Sequence, residues 1–150
     1  MSVGCRLIDR ENVLYLVDQL QDFEKDKAIK SGLRAAVNIF RVGGQKRLSQ
    51  RLKKGKYGHL RNSFTTRVKR NKIGALAGFD RPGGNHSHLV DLGTQLRETK
   101  GKKSKPAGLS RGRMPANSFW EDTNKQDEDK AMNKLYQGIQ KAVERINNRR

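Results

Sequence analysis

The chain has 150 residues, 33% hydrophobic and 32% charged, with a formal net charge of +18. That length fits one domain, residues 1–150, with a thin core of the helix-on-sheet kind. No apolar run approaches the roughly 20 residues of a membrane span, the first ten residues lack a signal-peptide core, and Cys5 is the sole cysteine, so a soluble protein made in a reducing cytoplasm, with no internal disulfide, is expected.

Residues 5–9 read as a short first strand. Val13, Leu16, Val17, Leu20 and Phe23 then recur at three- and four-residue spacing, with Asp18, Asp22 and Lys25 opposite, which predicts a helix capped by Asn12. A second helical pattern covers about residues 28–53, with Leu33, Ala36, Val37, Phe40, Leu48 and Leu52 as its apolar stripe. Gly43 and Gly44 interrupt it. Each glycine costs about 1 kcal/mol against alanine in a helix interior, so the pair marks either a kink or the close approach of another backbone.

The period then changes to two. Phe64, Thr66 and Val68 alternate with Thr65, Arg67 and Lys69, and Ile73, Ala75, Ala77 and Phe79 repeat the pattern. This predicts a β-hairpin with one apolar face, followed by a turn at 81–85. Residues 88–94 read as another short strand or extended edge. Residues 95–113 form a long polar loop without apolar periodicity. Phe119, Trp120, Met132, Leu135, Tyr136, Ile139, Val143 and Ile146 mark a final helix. Pro115 is expected to open it, Gly138 to be a mild weak point, and Asp127, Glu128 and Asp129 to lie towards the positive end of its dipole. The expected class is α+β: an antiparallel sheet packed against a long helix and a C-terminal helix.

The charge is unevenly placed. No acidic residue occurs between Asp26 and Asp80. A second basic run, Arg97, Lys100, Lys102, Lys103, Lys105, Arg111 and Arg113, is opposed only by Glu98. Such an excess points to a polyanion or an acidic protein surface as partner, and the second run is the expected contact. Tyr57, Phe64 and Phe79 stand at core-like spacings rather than among the lysines, so contact through backbone electrostatics is expected, not base stacking.

Nothing asks for catalysis. His86 and His88 form an H-x-H pair, with His59 and Cys5 distant in sequence, short of the tight pairing of zinc sites. Asp80, Asp91 and Glu98 form no magnesium motif, there is no phosphate loop, and Ser63 and Ser118 lack a base in a nucleophile pattern. No metal, no cofactor and no enzymatic activity are expected.

Three segments carry a resemblance. Gly58-His59-Leu60-Arg61-Asn62-Ser63-Phe64 precedes the first hairpin strand, His88-Leu89-Val90-Asp91-Leu92-Gly93-Thr94 follows the hairpin, and Met114-Pro115-Ala116-Asn117-Ser118-Phe119-Trp120 opens the last helix. In this order, after a long helix with Ala35-Ala36, they resemble the tail-completion, or head–tail joining, family of tailed bacteriophages over about residues 20–146. The resemblance implies a virion neck protein, forming a homo-oligomeric ring (hexamer or dodecamer) between the head connector and the tail, with DNA in the channel as a further contact. It carries over no catalytic residue. The physical reading of these residues is structural: Gly58 and Gly93 suit tight turns, Asp91 suits a side-chain bond to backbone, and Phe119 and Trp120 suit anchoring of the last helix on the sheet. Composition alone also permits a second reading, a basic nucleic-acid-binding module of the ribosome- or nucleoid-associated kind.

Overall fold

The computed structural model describes residues 10–52, 58–98 and 108–149. The elements in chain order are α1 (Arg10–Asp18), α2 (Asp22–Arg51), α3 (Gly58–Asn62), β1 (Phe64–Val68), β2 (Ala75–Phe79), α4 (Ser87–Leu92) and α5 (Phe119–Asn147). The class is α+β, a two-stranded antiparallel sheet against the long α2 and the C-terminal α5. The strand expected at residues 5–9 lies outside the described residues.

The two long helices run antiparallel and determine the layout. Their buried positions step by four: Ala28, Gly32, Ala36, Gly44 and Leu48 on α2, and Phe119, Thr123, Asp127, Ala131, Ile139 and Val143 on α5. Such rows lie oblique to the helix axis and interlock as ridges in grooves. In the α2 row every residue before Leu48 is alanine or glycine, so the backbones come close. A methyl group at Gly138 would stand 2.8 Å from the Gly32 Cα, and one at Gly32 would stand 2.5 Å from the Leu135 carbonyl oxygen. Gly138, expected to be a mild weak point, is therefore also a point of close backbone contact between the helices.

α2 runs through Gly43 and Gly44 unbroken. What approaches is side chain rather than backbone. A methyl group at Gly43 would collide with the Asp127 carboxylate, and one at Gly44 would stand 2.6 Å from the Phe64 ring and 2.9 Å from the Trp120 ring. Arg47, one turn after Gly43, donates from Nη1 to Asp127 Oδ2 at 2.5 Å and from Nη2 to Asp127 Oδ1 at 3.2 Å. It also donates to Thr123 Oγ1 and Gln126 Oε1. The Asp127 side chain is 6% exposed. It lies two turns into α5, towards the helix start, and is a buried partner of α2. The bond to Arg47 holds its carboxyl below the usual carboxylate range, and the same bond raises the Arg47 guanidinium.

Apolar clusters close the two ends of the helix pair. At one end α1 lays Val13 and Val17, and the turn after it Leu20, against Ala28, Ile139 and Val143. The first helix is shorter than its periodicity suggests. It stops at Asp18, Leu20 N–H bonds back to the Val17 carbonyl, and α2 starts at Asp22. Asn12 lies inside α1, and Phe23 belongs to α2, where it is 77% exposed. The bend keeps Leu20 on the cluster, and Phe23 falls outside it. At the other end Leu48, Leu60, Phe64, Val90 and Phe119 form the second cluster, with Leu52, Phe79, Met114 and Trp120 against it.

The hairpin is present, with Phe64 opposite Phe79, Thr66 opposite Ala77 and Val68 opposite Ala75. Ile73 lies outside both strands and is exposed. Residues 88–94 are not a strand: Ser87–Leu92 is a short helix. Val90 and Asp91 are both buried. Successive residues of a strand point to opposite faces, whereas on a helix they lie about 100° apart and can both face the core. Pro115 does not open α5, which begins four residues later, after Ser118 in the left-handed region at φ 53°.

Gly32→Ala should destabilise the protein by about 1–3 kcal/mol through overpacking, although alanine is the better helix former. Gly78→Ala, where no atom lies within 4 Å of the added methyl, should stay within about 0.5 kcal/mol. Equal urea midpoints for the two variants would mean that the helices are not in backbone contact.

The depressed Asp127 carboxyl also predicts a pH dependence. Its folded pKa lies below its unfolded value, so its contribution is complete above the ordinary aspartate pKa of about 3.9. The contribution diminishes as pH falls through the folded value. The stability gap between wild type and Asp127→Asn should therefore be largest near pH 6 and shrink from about pH 4 downward. A gap that stays constant in urea titrations from pH 6 to pH 2.5 would contradict the assignment.

Candidate interaction site

The three segments singled out by resemblance are far apart in sequence and meet in space. In the first, α3 delivers Leu60 to the second cluster, and the Leu60 carbonyl accepts from Ser63 N–H and from the Ser63 hydroxyl at 2.7 Å. The Ser63 carbonyl in turn accepts from Asp80 N–H, just beyond the end of the hairpin. Phe64 and Phe79 stack at 4.6 Å between centroids, and Trp120 stands 5.2 Å from Phe79 and 6.0 Å from Phe64. Phe119 reaches the same two rings edge-on and is fully buried. Gly58 begins α3 and is not a tight turn.

The second and third segments are joined by main-chain and side-chain bonds. The Val90 carbonyl accepts from Asn117 N–H, and the Asp91 carbonyl accepts from Ser118 N–H. Asp91 Oδ1 accepts from Trp120 N–H at 2.7 Å. A helix leaves its first N–H groups without intrahelical partners. The Ser118 side chain makes no capping bond here, and a carboxylate from another element takes that role. Gly93 has φ +77°, and a methyl there would stand 2.7 Å from Ala116 N and 2.8 Å from the Met114 oxygen. Glycine thus meets two demands at this position, conformation and close approach. Arg51 completes the junction from α2, donating to the Asn117 carbonyl and to Asp122 Oδ2.

From this junction an arm extends. Thr94 N–H bonds to the Met114 carbonyl, and Met114 N–H to Thr94 Oγ1 at 3.0 Å. Further out, Arg97 N–H bonds to the Gly112 carbonyl, Arg111 N–H to the Arg97 carbonyl, and Glu98 bridges to Ser110. The stretch expected to be a loop without structure is thus, at its root, two paired extended segments. Lys100, Lys102, Lys103 and Lys105 lie outside the described residues. Arg97, Arg111 and Arg113 are exposed on the arm. So are large apolar side chains: Leu92 at its base is 69% exposed and Leu96 is 63% exposed, with Leu109 also open to solvent. A depression of about 190 Å³ between Leu92, Gln95, Arg113 and Met114 lies beside the root.

Of the residues named from sequence, Leu60, Ser63, Phe64, Val90, Asp91 and Phe119 are buried in this junction, with Trp120 half-buried. Gly93 and Thr94 join it to the arm. Arg61 is exposed on the far side of α3, beside Gln45 and Lys46. Pro115 is exposed between the arm and α5. Sequence reasoning misses Arg47, Arg51 and Asp127. Gly43, one turn before Arg47, and the four-residue spacing of Thr123, Asp127 and Ala131 are the signals that point to them.

Among the described residues no three His, Cys, Asp or Glu side chains converge as metal ligands, and no helix is long and apolar enough to cross a membrane. Comparison of the chain with protein-family models, with characterised proteins and with solved structures found no match in any of the three.

Asp91→Ala should cost about 0.5–2 kcal/mol, the usual worth of an N-cap. Asp91→Asn, which keeps an acceptor oxygen, should retain most of that. Thermal melts in which the alanine variant matches wild type would remove Asp91 from the support of α5.

Proposed function

We propose that the chain is a structural subunit of a tailed-phage neck. It closes into a homo-oligomeric ring that completes the tail and joins it to the head connector, and it is not an enzyme. One observation carries the reading. The three segments that resemble the tail-completion family, spread over residues 58–120, gather into a single junction, and the product of that junction is an exposed arm. Their buried residues do packing and capping, which leaves no group poised for chemistry there and a projecting surface to be covered.

The character of the arm supports a protein contact. Leucines as open as Leu92 and Leu96 leave apolar surface in water at about 25 cal/mol per Å², and covering it is a driving force for association. Arg97, Arg111 and Arg113 beside them suit an acidic rim. A ring of subunits each at +18 repels itself unless counter-charge is near, which a connector surface or channel DNA would supply. The second reading, a nucleic-acid-binding module outside a virion, draws on the same charge and needs no arm contact between copies.

Light scattering over a concentration and salt series separates them. Wild type should form a discrete ring-sized oligomer at high protein concentration, and Leu92→Ser with Leu96→Ser should shift it towards monomer by tenfold or more in concentration while the melting temperature holds. A monomer throughout the series overturns the ring. A monomer that also binds duplex with steep salt dependence installs the second reading instead.

A further inference from the structure

α2 carries Lys27, Ser31 and Arg34 at the spacing of one helix face, and α5 carries Ala142, Arg145, Ile146 and Arg149 at the same spacing near its end. Because the helices are antiparallel, these faces meet. They line a groove of about 210 Å³ at the opposite end of the helix pair from the arm. Its floor is Ala142 and Ile146, its walls hold three guanidinium groups, one ammonium and the Ser31 hydroxyl, and among the described residues no carboxylate lines it. The four cations are exposed, and among the described residues none is ion-paired. The Lys27 ammonium stands 6.0 Å from the centroid of the Phe23 ring.

An ordinary account is that arginines suit the negative end of a helix dipole. It covers Arg145 and Arg149. It does not cover Lys27, which sits in the second turn of α2, where the dipole disfavours a cation, or Arg34, in the middle of that helix. Gathering four like charges around one groove is repulsive unless an anion joins them. Arginine forks match the paired oxygens of a phosphate, and such groups recur along a phosphodiester chain. A single carboxylate side chain would leave most of the four unmatched.

We propose that this groove binds the phosphodiester backbone of nucleic acid, without reading bases. Phe64, Phe79, Phe119 and Trp120 are committed to the core at the other end, and the exposed Phe23 ring beside Lys27 is not among the residues that line the groove. The assignment does not depend on the ring.

The test is fluorescence anisotropy with a random-sequence 20-base-pair duplex and the full-length chain, from 50 to 300 mM salt. Each phosphate that the protein ceases to neutralise lowers the slope of log K against log salt by about 0.9. Arg34→Gln with Arg145→Gln should therefore lower it by roughly 1.8, and Lys27→Gln with Arg149→Gln by a similar amount. A charge-matched hairpin control, Arg67→Gln with Lys72→Gln, should leave the slope close to wild type. The proposal is overturned if wild type fails to bind duplex at 50 mM salt, or if the hairpin control lowers the slope as much as the groove variants. It is also overturned if poly-glutamate, at equal charge concentration, displaces wild type as well as DNA does. All variants alter exposed side chains, and matching melting temperatures confirm that the comparison is between folded proteins.

Discussion

Helices of 30 and 29 residues can lie against each other over most of their length only if what stands between them is small or specifically paired. α2 and α5 meet that demand with glycine. Gly32 and Gly138 bring the two backbones into contact, Gly43 clears a space for the Asp127 carboxylate, and Gly44 clears one for the Phe64 and Trp120 rings. Each glycine on α2 thus admits a different kind of group. Leucines there would hold the helices apart and leave the hairpin and α4 with nothing to pack on.

Small residues give closeness but not register. Rows of alanine and glycine spaced by four offer similar grooves after a slip of one turn. The Arg47–Asp127 pair does not. A slip by four residues would set Arg47 opposite Thr123 or Ala131 and strand a buried carboxylate. Breaking a buried pair costs about 3–5 kcal/mol, far more than most single contacts in the interface. The ion pair therefore works as a register pin between two apolar ends, one closed by α1 and the other by the aromatic cluster. That pin holds the start of α5 where the Asp91 carboxylate can meet Trp120 N–H, and so sets the junction from which the arm leaves.

Sequence patterning anticipates what strong periodicity encodes: the α+β class, the two long helices, and the hairpin with its phenylalanines facing one way. It goes astray where an element is defined by a partner rather than by its own residues. No glycine or proline marks the bend at residues 19–21, which is visible only through the core that Leu20 joins. Residues 88–94 read as a strand or extended edge, yet Val90 and Asp91 are both buried in a short helix held to residues 117–120. Pro115 resembles a helix opener, but the N–H that needs an acceptor belongs to Trp120. Asp127 is legible only as an acid near the positive end of the helix dipole, because its partner lies 80 positions earlier in the chain, beyond any local pattern. The resemblance motifs are legible as positions. That they converge depends on the α2–α5 contact, which no single motif contains.

The cations of α2 sort into two kinds. Lys25, Lys30, Arg47 and Arg51 have carboxylate partners in Asp18, Asp26, Asp127 and Asp122, the last two binding α2 to α5, and Arg41 bonds to Asn38 on its own helix. Lys27, Arg34 and Lys46 have none among the described residues and line depressions on the surface. The first kind accounts for folding. The second adds self-repulsion to a chain already at +18 and gives the fold nothing in return. Lysine and arginine are costly to keep at such density unless an anion is met. Among the described residues, unpaired cations stand at both ends of the helix pair, Lys27 and Arg34 in the groove at the α1 end and the exposed Arg97, Arg111 and Arg113 on the arm at the other. A subunit built this way is suited to bridging two anionic surfaces at once, with the glycine-packed helix pair as the rigid spacer between them.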